Sequence, residues 1–342
     1  MDTPFLSAHA AAELIAAEGA RPCMVGMAKA IEADYRRWPV FDKSARLASH
    51  SKQGVIELMP ISDGEVYAFK YVNGHPLNHR CHLPTVMAFG VLADVRTGAP
   101  LFVGELTLTT ALRTAATSAL VAQRLARPNC KSMAIIGNGA QSEFQALAFE
   151  TMLGIDTFYL YDTDPAASKK LAQHLNSFGM TAILCESAMQ AVQEVDVITT
   201  ATAAKTKASV LTPNMLRPGL HINAIGGDCP GKTELHPDVL SQAKVFVEYA
   251  PQTRVEGDVQ QMPADFPVTE IWSVLSGKVQ GRTHNNEITV FDSVGFALED
   301  FSALRFMHQL AEKHGRFGRI GLIPELDDPK NLYALITERE FA

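Results

Sequence analysis

Three cations lie in the N-terminal third of the chain, two of them at positions where a charged side chain is unexpected. Lys70 lies in an apolar, strand-like segment, and Arg113 lies near the start of a predicted helix rich in Ala and Leu. Arg46 precedes the same strand-rich region. Because a guanidinium grips a carboxylate through two parallel hydrogen bonds and an ammonium adds a point charge, the three could bind a small carboxylate. From spacing alone, three surface cations are the more common interpretation.

A glycine-rich segment, residues 224–234, carries a candidate acid. It follows a predicted strand and so lies at the carboxyl edge of a sheet, where ligands of such folds bind. Asp228 is presented there by flexible glycines, and its carboxylate could act as a general acid and base if burial favours its protonated form. Lys232 could pair with this carboxylate or reach a ligand. From spacing alone, a loop aspartate that caps its own turn is the commoner case.

Residues 132–149 predict a short buried strand, a glycine turn and a helix. Gly137 allows the tight turn, and Gly139 lets the backbone approach a pyrophosphate, which the N-terminus of the helix would attract. Ser142 stands where a third glycine is usual, and it is small enough for close packing. Asp162 ends the next apolar strand, where an acid holds a ribose 2′-hydroxyl and repels a 2′-phosphate. The pattern predicts dinucleotide binding and favours NAD over NADP.

A fourth cluster has a spacing that permits a metal site; it consists of His75, His79, Cys81 and His82. The surrounding proline and turn signals give these side chains no common face. Ordinary loop residues are therefore expected, and no metal is predicted.

The elements that must position these residues follow two patterns. Residues 7–37 predict helix with Ser7 as the N-cap, and residues 46–105 alternate β-forming runs with turn signals, which is typical of an antiparallel α+β domain. After residue 132, strands alternate with helical stretches, which is typical of a parallel, doubly wound sheet. The later strands are predicted at 157–161, 181–184, 196–200, 221–225, 244–247 and, as the last, 288–291. Residues 296–314 predict a helix that packs back on the first domain. The fold class is α/β, a Rossmann-type domain plus an α+β domain.

Composition argues against several other classes of protein. The chain has 342 residues, 47% hydrophobic and 20% charged, with a formal charge of −7 and no basic patch for nucleic acid. Neither a signal peptide nor an apolar run long enough to span a membrane is expected. The five scattered cysteines are typical of reduced thiols in a cytoplasmic protein.

Five segments resemble the ornithine cyclodeaminase/μ-crystallin family, which also includes some alanine dehydrogenases: residues 69–76, 112–119, 136–142, 226–235 and 289–295. The forms Lys-Tyr-Val-Asn (70–73) and Gly-Asp-Cys-Pro-Gly-Lys (227–232) are more similar to its cyclodeaminase branch. The resemblance extends over nearly the whole chain. It favours functional roles for the three cations and for Asp228.

The resemblance implies a role for each matching residue. Arg46, Lys70 and Arg113 would hold a substrate α-carboxylate, and Asp228 would be the acid and base near the amines. Glu57 would face the substrate pocket, unless it is a solvent-facing strand carboxylate, and Val294 would contact substrate through its backbone. The implied NAD contacts are Thr85, Arg113, Asn138, Gly139, Ala140, Gln141, Asp162, Thr202, Ala224, Ile225, Gly226, Gly227, Lys232 and Ser293.

The resemblance also implies a domain plan and a dimer. Residues 1–120 would form a substrate-binding and dimerisation domain, rejoined by a C-terminal helix over 316–342, and residues 121–315 would form the NAD domain. The first domain would form a homodimer through its sheet.

The implied reaction converts L-ornithine to L-proline and ammonia without net redox change. Bound NAD+ takes hydride from Cα, the δ-amine attacks the imine, ammonia leaves, and the hydride returns. Three alternatives stay open within the family: a lysine cyclodeaminase, an amino-acid dehydrogenase or ketimine reductase such as an alanine dehydrogenase, and a μ-crystallin-like nucleotide-binding protein without turnover.

Overall fold

The computed structural model describes residues 2–203 and 207–337, with the side chains of residues 79, 207 and 208 left out. The strands are β1 (Thr3–Leu6), β2 (Asp42–Lys43), β3 (Leu47–His50), β4 (Val55–Ser62), β5 (Val66–Gly74), β6 (Val86–Asp94), β7 (Pro100–Glu105), β8 (Ser132–Ile136), β9 (Thr157–Tyr161), β10 (Thr181–Leu184), β11 (Val197–Thr200), β12 (Lys207–Leu211), β13 (His221–Ala224), β14 (Thr233–Leu235), β15 (Lys244–Val247), β16 (Thr269–Glu270), β17 (Thr289–Asp292) and β18 (Gly318–Ile320). The helices are α1 (Ala8–Glu18), α2 (Ala20–Arg36), α3 (Thr107–Leu125), α4 (Ser142–Leu153), α5 (Pro165–Ser177), α6 (Ala188–Val192), α7 (Pro237–Ser241), α8 (Ala250–Glu256), α9 (Ile271–Leu275), α10 (Ala297–His314) and α11 (Ala334–Thr337).

The first sheet is mixed and mainly antiparallel, in the order β18-β1-β7-β6-β5-β4-β2, with β3 also paired to β4. Along β4, buried and more exposed residues alternate, as expected for a strand with one covered face. The register pairs Met59 with Lys70 and Lys70 with Gly90, which places Lys70 on the covered face. The predicted antiparallel region is confirmed, because β4, β5, β6 and β7 pair antiparallel in turn.

Helices α3 and α10 contact the inner face of this sheet, and α2 packs on both of them. Ser7 caps α1 by accepting a hydrogen bond from the Ala10 backbone, as predicted. The predicted helical region divides at Gly19, whose φ of 93° favours glycine. The predicted packing of the 296–314 helix on the first sheet is confirmed, because α10 contacts β4, β5, β6 and β7.

The second sheet has the order β10-β9-β8-β11-β13-β17-β15-β16, and all its pairings are parallel. This is the doubly wound arrangement that the alternating pattern predicts. The strand predicted last, at 288–291, corresponds to β17, but it lies between β13 and β15 and is followed by β18 in the other sheet. Short strands such as β14 and β16 carry too few residues for a periodic signal.

The predicted C-terminal helix over 316–342 is wrong for the part that the structure describes. Residues 318–320 instead form β18, which pairs antiparallel with β1, and only α11 is helical. Residues 338–342 of that prediction lie outside the described residues. The segment still returns to the first sheet, through strand pairing rather than through a helix. Within the described ranges, none of the helices is long and apolar enough to cross a membrane.

Candidate active site

A cavity of about 450 Å³ lies between the two sheets, where the parallel strands β8, β11, β13 and β17 end. Most of the predicted site residues line it: Arg46, Glu57, Lys70, Thr85, Arg113, Gly139, Ala140, Gln141, Thr202, Ile225, Gly226, Asp228, Lys232, Ser293 and Val294. Four predicted cofactor residues are outside this lining, namely Asn138, Asp162, Ala224 and Gly227.

Two of the three predicted cations share one buried partner. Nζ of Lys70 donates to Oδ1 of Asp300 at 2.8 Å, and Nε of Arg113 donates to the same oxygen at 3.0 Å. Nη1 of Arg113 also donates to Oε2 of Glu299 at 2.7 Å. Both cations are buried and line the cavity, so the interpretation as surface cations is wrong for them.

The third cation, Arg46, links the two sheets. Its Nη1 donates to Oε2 of Glu57 at 3.0 Å, and its Nη2 donates to the carbonyl oxygens of Val294 and Gly295, each at 2.6 Å. Its Nε lies 3.0 Å from Oε2 of Glu256. The backbone of Val294, predicted to contact substrate, here binds this arginine, and its contact with substrate stays a prediction. Glu57 is buried and lines the cavity, so its interpretation as a solvent-facing strand carboxylate is wrong.

Burial shifts the proton affinities of groups around these cations. It lowers the pKa of Lys70 to about 8, against the attraction of Asp300, because an ammonium loses solvation in the interior. It raises the pKa of Glu299 to about 7, although Arg113 opposes that change. It likewise raises the pKa of Glu256 to about 7, with Arg46 acting in the opposite direction. Lys70 on the cavity wall and two acids behind it, Glu256 and Glu299, therefore have pKa values shifted toward neutral pH.

Asp228 lies at the mouth of the cavity, on the turn after β13. Its side chain is 51% exposed, so the expected burial of this carboxylate is wrong. Nζ of Lys232 donates to Oδ1 of Asp228 at 3.1 Å, as the spacing allowed. The carboxylate therefore lines the cavity and is also open to solvent.

The glycine turn has the geometry of a phosphate-binding loop. Gly137 has a φ of +91°, and a Cβ there would lie 2.6 Å from the carbonyl oxygen of Ala201. At Gly139, no atom of the described chain lies within 4 Å of a Cβ position, which leaves room for a phosphate group beside the N-terminus of α4. Ser142 occupies the third position and donates to the Gly137 carbonyl at 3.0 Å, so its side chain tightens the turn.

Asp162 lies directly after β9, beside this turn. Its Oδ2 accepts the backbone N–H of Asn138 at 2.6 Å, and its Oδ1 accepts that of Asp164 at 2.8 Å. The buried Asn138 side chain bonds the Ile135 carbonyl and the Ser168 hydroxyl. The hydrogen bonds of the buried Asn138 side chain therefore stabilise the turn. Asp162 lies at the sheet edge, where a nucleotide ribose would bind.

Glu234 connects the turn after β11 with the turn after β13. It accepts hydrogen bonds from the backbone N–H of Thr202, at 2.6 Å, and from the Thr202 hydroxyl. A Cβ on Gly226 would lie 2.1 Å from the same carboxylate, so only glycine fits there. Burial raises the pKa of Glu234, while the bonds from Thr202 and Thr200 oppose that change.

The loop after β17 is held by one buried acid. Glu248 accepts hydrogen bonds from the Ser293 hydroxyl at 2.5 Å, from the Val294 N–H at 3.3 Å and from the Gly295 N–H at 3.1 Å. This fixes the carbonyls that bind Arg46.

The remaining predicted residues contribute backbone hydrogen bonds or close packing around these turns. Ala224 accepts from the Ser293 N–H at 2.8 Å, and the Ile225 N–H donates to the Thr200 carbonyl at 3.0 Å. A Cβ on Gly227 would lie 2.9 Å from Asp258. The Thr85 carbonyl accepts from His75 at 2.9 Å.

Sequence reasoning missed the buried acids behind the cations and turns: Glu234, Glu248, Glu256, Glu299 and Asp300. An acid in an otherwise apolar run, such as Glu299 and Asp300 within 296–304, was the available signal, because unpaired carboxylates are rarely buried. No metal is predicted at the histidine cluster, and among the described residues no group of three or more His, Cys, Asp or Glu side chains could hold one. The His79 side chain lies outside the described part.

Comparisons with known proteins agree with this geometry. Residues 12–315 match the model of the ornithine cyclodeaminase/mu-crystallin family. Ornithine cyclodeaminase of Brucella suis is 52% identical over 337 residues, covering 98% of this chain and 94% of that protein. A lysine cyclodeaminase solved for recognition of L-lysine, L-ornithine and L-2,4-diaminobutyric acid is 31% identical, with a TM-score of 0.93 over 98% of this chain and all of that one. An archaeal alanine dehydrogenase dimer with bound NAD is 29% identical, with a TM-score of 0.86 over 94% of this chain and all of that one.

The fold and the site define a nucleotide-binding α/β enzyme whose cavity is lined by three cations, Arg46, Lys70 and Arg113. The family match covers most of the chain, and the relative from Brucella suis matches almost all of it. The chain belongs to the ornithine cyclodeaminase/μ-crystallin family.

Proposed function

We propose that the chain is an ornithine cyclodeaminase, an NAD-dependent ammonia-lyase that converts L-ornithine to L-proline and ammonia. One observation of the site carries the proposal: the cavity that holds three cations also holds two carboxylates, Glu57 and Asp228. A substrate with one carboxylate and one amine needs only one anionic partner, whereas a diamino acid can use two. The 52% identity to a protein named ornithine cyclodeaminase supports the same substrate.

The cations would orient the substrate. Lys70 and Arg113 lie side by side on Asp300, and Arg46 lies near Glu57, so a carboxylate bound among them would have a fixed position. Fixing the carboxylate presents the same Cα–H toward the nucleotide side of the cavity throughout a turnover. Glu57 would then face an amine of the substrate.

NAD fits the turn after β8, because Gly139 leaves open space beside the N-terminus of α4 and Asp162 lies at the adjacent strand tip. When bound, NAD+ supplies an acceptor for hydride from Cα and a donor that returns it within the same turnover. Gly139, Ala140 and Gln141 would hold the pyrophosphate, while Thr202, Ile225, Gly226 and Ser293 would line the rest of the nucleotide site.

Asp228 would move the protons. The δ-amine must lose a proton before it attacks, and the departing amine must gain one, so one carboxylate near both amines can serve both steps. Lys232, hydrogen-bonded to Asp228, would keep that carboxylate aimed at the cavity.

The test is turnover of L-ornithine with only a trace of NAD+. A cyclodeaminase gives proline and ammonia over many cycles, with no lasting absorbance of reduced cofactor. Accumulation of reduced cofactor in proportion to product would contradict the proposal and indicate a dehydrogenase, and nucleotide binding without turnover would indicate a binding protein. Parallel assays on L-lysine and L-alanine give the order of substrate preference.

We also propose a homodimer that forms through the outer face of the first sheet. Leu58, Tyr71 and Phe89 form a row across β4, β5 and β6, with the rings of Tyr71 and Phe89 stacked 5.1 Å apart. Leu58 and Phe89 are exposed, and exposed apolar side chains on neighbouring strands mark an interaction surface. A second copy of the chain would cover this face.

A further inference from the structure

Asp300, on α10, touches two of the cations that would bind the substrate carboxylate. Its Oδ1 accepts from Lys70 at 2.8 Å and from Arg113 at 3.0 Å, and its Oδ2 lies 2.7 Å from the Lys70 ammonium. The side chains of Lys70 and Asp300 are each 2% exposed, so solvent screens this pair very little. Asp300 is not among the described residues that line the cavity, so it lies behind the cations.

Three separate elements meet at this carboxylate, because Lys70 belongs to β5, Arg113 to α3 and Asp300 to α10. Two cations held side by side repel each other, and a shared anion offsets that repulsion. We propose that Asp300 is a positioning residue, which holds Lys70, as an ammonium, beside Arg113 so that both cations bind one substrate carboxylate. The identity of that substrate rests on the function proposed above.

The same carboxylate also keeps Lys70 charged. The groups that face Lys70 are Asp300 on α10, Arg113 on α3 and Arg46 from the segment before β3. Burial, helped by repulsion from both arginines, lowers the pKa of Lys70 to about 8, although Asp300 raises it. Without Asp300 only the lowering influences remain, so Lys70 would lose its proton at a lower pH. A neutral lysine binds a carboxylate more weakly than an ammonium does.

The experiment measures the dissociation constant of L-proline, the expected product, from the NAD-saturated protein between pH 6 and 9.5. Proline carries a carboxylate and an amine that stays protonated over this range, so changes in affinity report the protein. In the wild type, affinity should fall above about pH 8, approaching tenfold per pH unit; any change near pH 7 that comes from Glu256 is shared by both proteins and cancels in their ratio. In Asp300→Asn this fall should begin roughly one pH unit lower or more.

The decisive quantity is the ratio of the two dissociation constants, variant over wild type. It should increase with pH, to about fivefold or more at pH 8 and about tenfold or more at pH 9.5. A ratio that is the same at every pH would mean that Asp300 only supports the fold, and a ratio of one would mean that it has no role. Either result overturns the proposal.

A second pair of variants keeps the test valid if Asp300→Asn folds poorly. Asp300→Glu retains the negative charge, so its affinity for proline should fall above about pH 8 as it does in the wild type. Lys70→Arg retains a cation that does not titrate in this range, so the fall in affinity above about pH 8 should be absent. If the fall in affinity above about pH 8 persists in Lys70→Arg, it does not come from titration of Lys70, and the inference is contradicted. A wild-type protein that binds proline but does not turn over ornithine would contradict the proposed function alone.

Discussion

Nε of Arg46 lies 3.0 Å from Oε2 of Glu256, and this ion pair joins the first sheet to helix α8. Gln252, one turn earlier on α8, accepts the backbone N–H of Arg46 at 3.1 Å and donates to the Gly295 carbonyl at 2.8 Å. One face of α8 therefore holds Arg46 from behind, while Glu57 binds the same guanidinium from the first sheet.

Replacing Glu256 should weaken substrate binding selectively. In Glu256→Gln, we expect KM for ornithine to rise by about tenfold, because a buried arginine loses its anionic partner. The dissociation constant of NAD should not change, since Glu256 is not among the described residues that line the cavity. Glu186→Gln, at an exposed position, is the matched control.

The same pair predicts a pH effect on KM. Burial raises the pKa of Glu256 to about 7, Arg46 opposes that rise, and Glu57, Asp228 and Glu248 add to it. The carboxylate is therefore ionised above this pH and holds Arg46 most firmly there. KM for ornithine should fall as pH rises through about 7 in the wild type, and this pH-dependent fall in KM should be absent in Glu256→Gln. A fall in KM near pH 7 that persists in the variant would have to be assigned to another titrating group.

Asp228→Asn should separate binding from chemistry. The amide cannot accept and return a proton, so kcat should fall by roughly 10²- to 10⁴-fold. NAD affinity should stay near the wild-type value, because the turn that carries Asp228 keeps its glycines. Isothermal titration with NAD and initial-rate kinetics with ornithine check the two statements. Wild-type turnover in this variant would remove Asp228 from the mechanism.

Local patterns predicted the residues at strand ends and turns, because each is fixed by a short segment. Gly137, Gly139 and Asp162 follow strands that the apolar runs mark clearly, and they lie where the doubly wound pattern places them. The family resemblance favoured functional roles for Asp228, Lys70 and Arg113. From spacing alone, a loop aspartate and surface cations were the more common interpretations.

The acids behind the site could not be placed from the sequence, since their partners are remote in the chain. Asp300 is 230 residues from Lys70, and Glu299 is 186 residues from Arg113. Such pairs exist only after α10 has packed on the first sheet. The C-terminal prediction failed for a related reason: β18 forms only because β1 offers an edge to pair with.

Gly139→Ala should weaken NAD binding without destabilising the protein. A Cβ at this position meets no described atom within 4 Å, so the folded chain accommodates it, while the same methyl would occupy the space expected for pyrophosphate. We expect the dissociation constant of NAD to rise by about tenfold or more. The melting temperature without cofactor should stay at or slightly above the wild-type value.

Gly226→Ala is the contrasting variant. Its Cβ would lie 2.1 Å from the Glu234 carboxylate, so it should lower the melting temperature as well as NAD affinity. Equal loss of stability in both alanine variants would contradict the open space assigned to Gly139.

Cofactor preference should depend on Asp162. Asp162→Asn removes the charge that repels a 2′-phosphate, so the preference for NAD over NADP should fall by about tenfold, measured as the ratio of kcat/KM values. Asp164→Asn is the matched control: it removes a charge two residues away, and Asn can still cap α5 at that position. An unchanged preference in Asp162→Asn, or an equal change in both variants, would show that this acid does not select the cofactor.

The outer face of the first sheet offers the last test. Phe89 is 45% exposed and lies in the row with Leu58 and Tyr71, so Phe89→Glu would place a charge in the centre of the proposed dimer contact. We expect the mass in solution, measured by light scattering after size exclusion, to fall from that of two chains to that of one. Phe178→Glu is the matched control, because Phe178 is 52% exposed after α5, on the nucleotide-binding part of the chain. A Phe89→Glu protein that stays dimeric, or a wild type that is monomeric, would contradict an interface on this face.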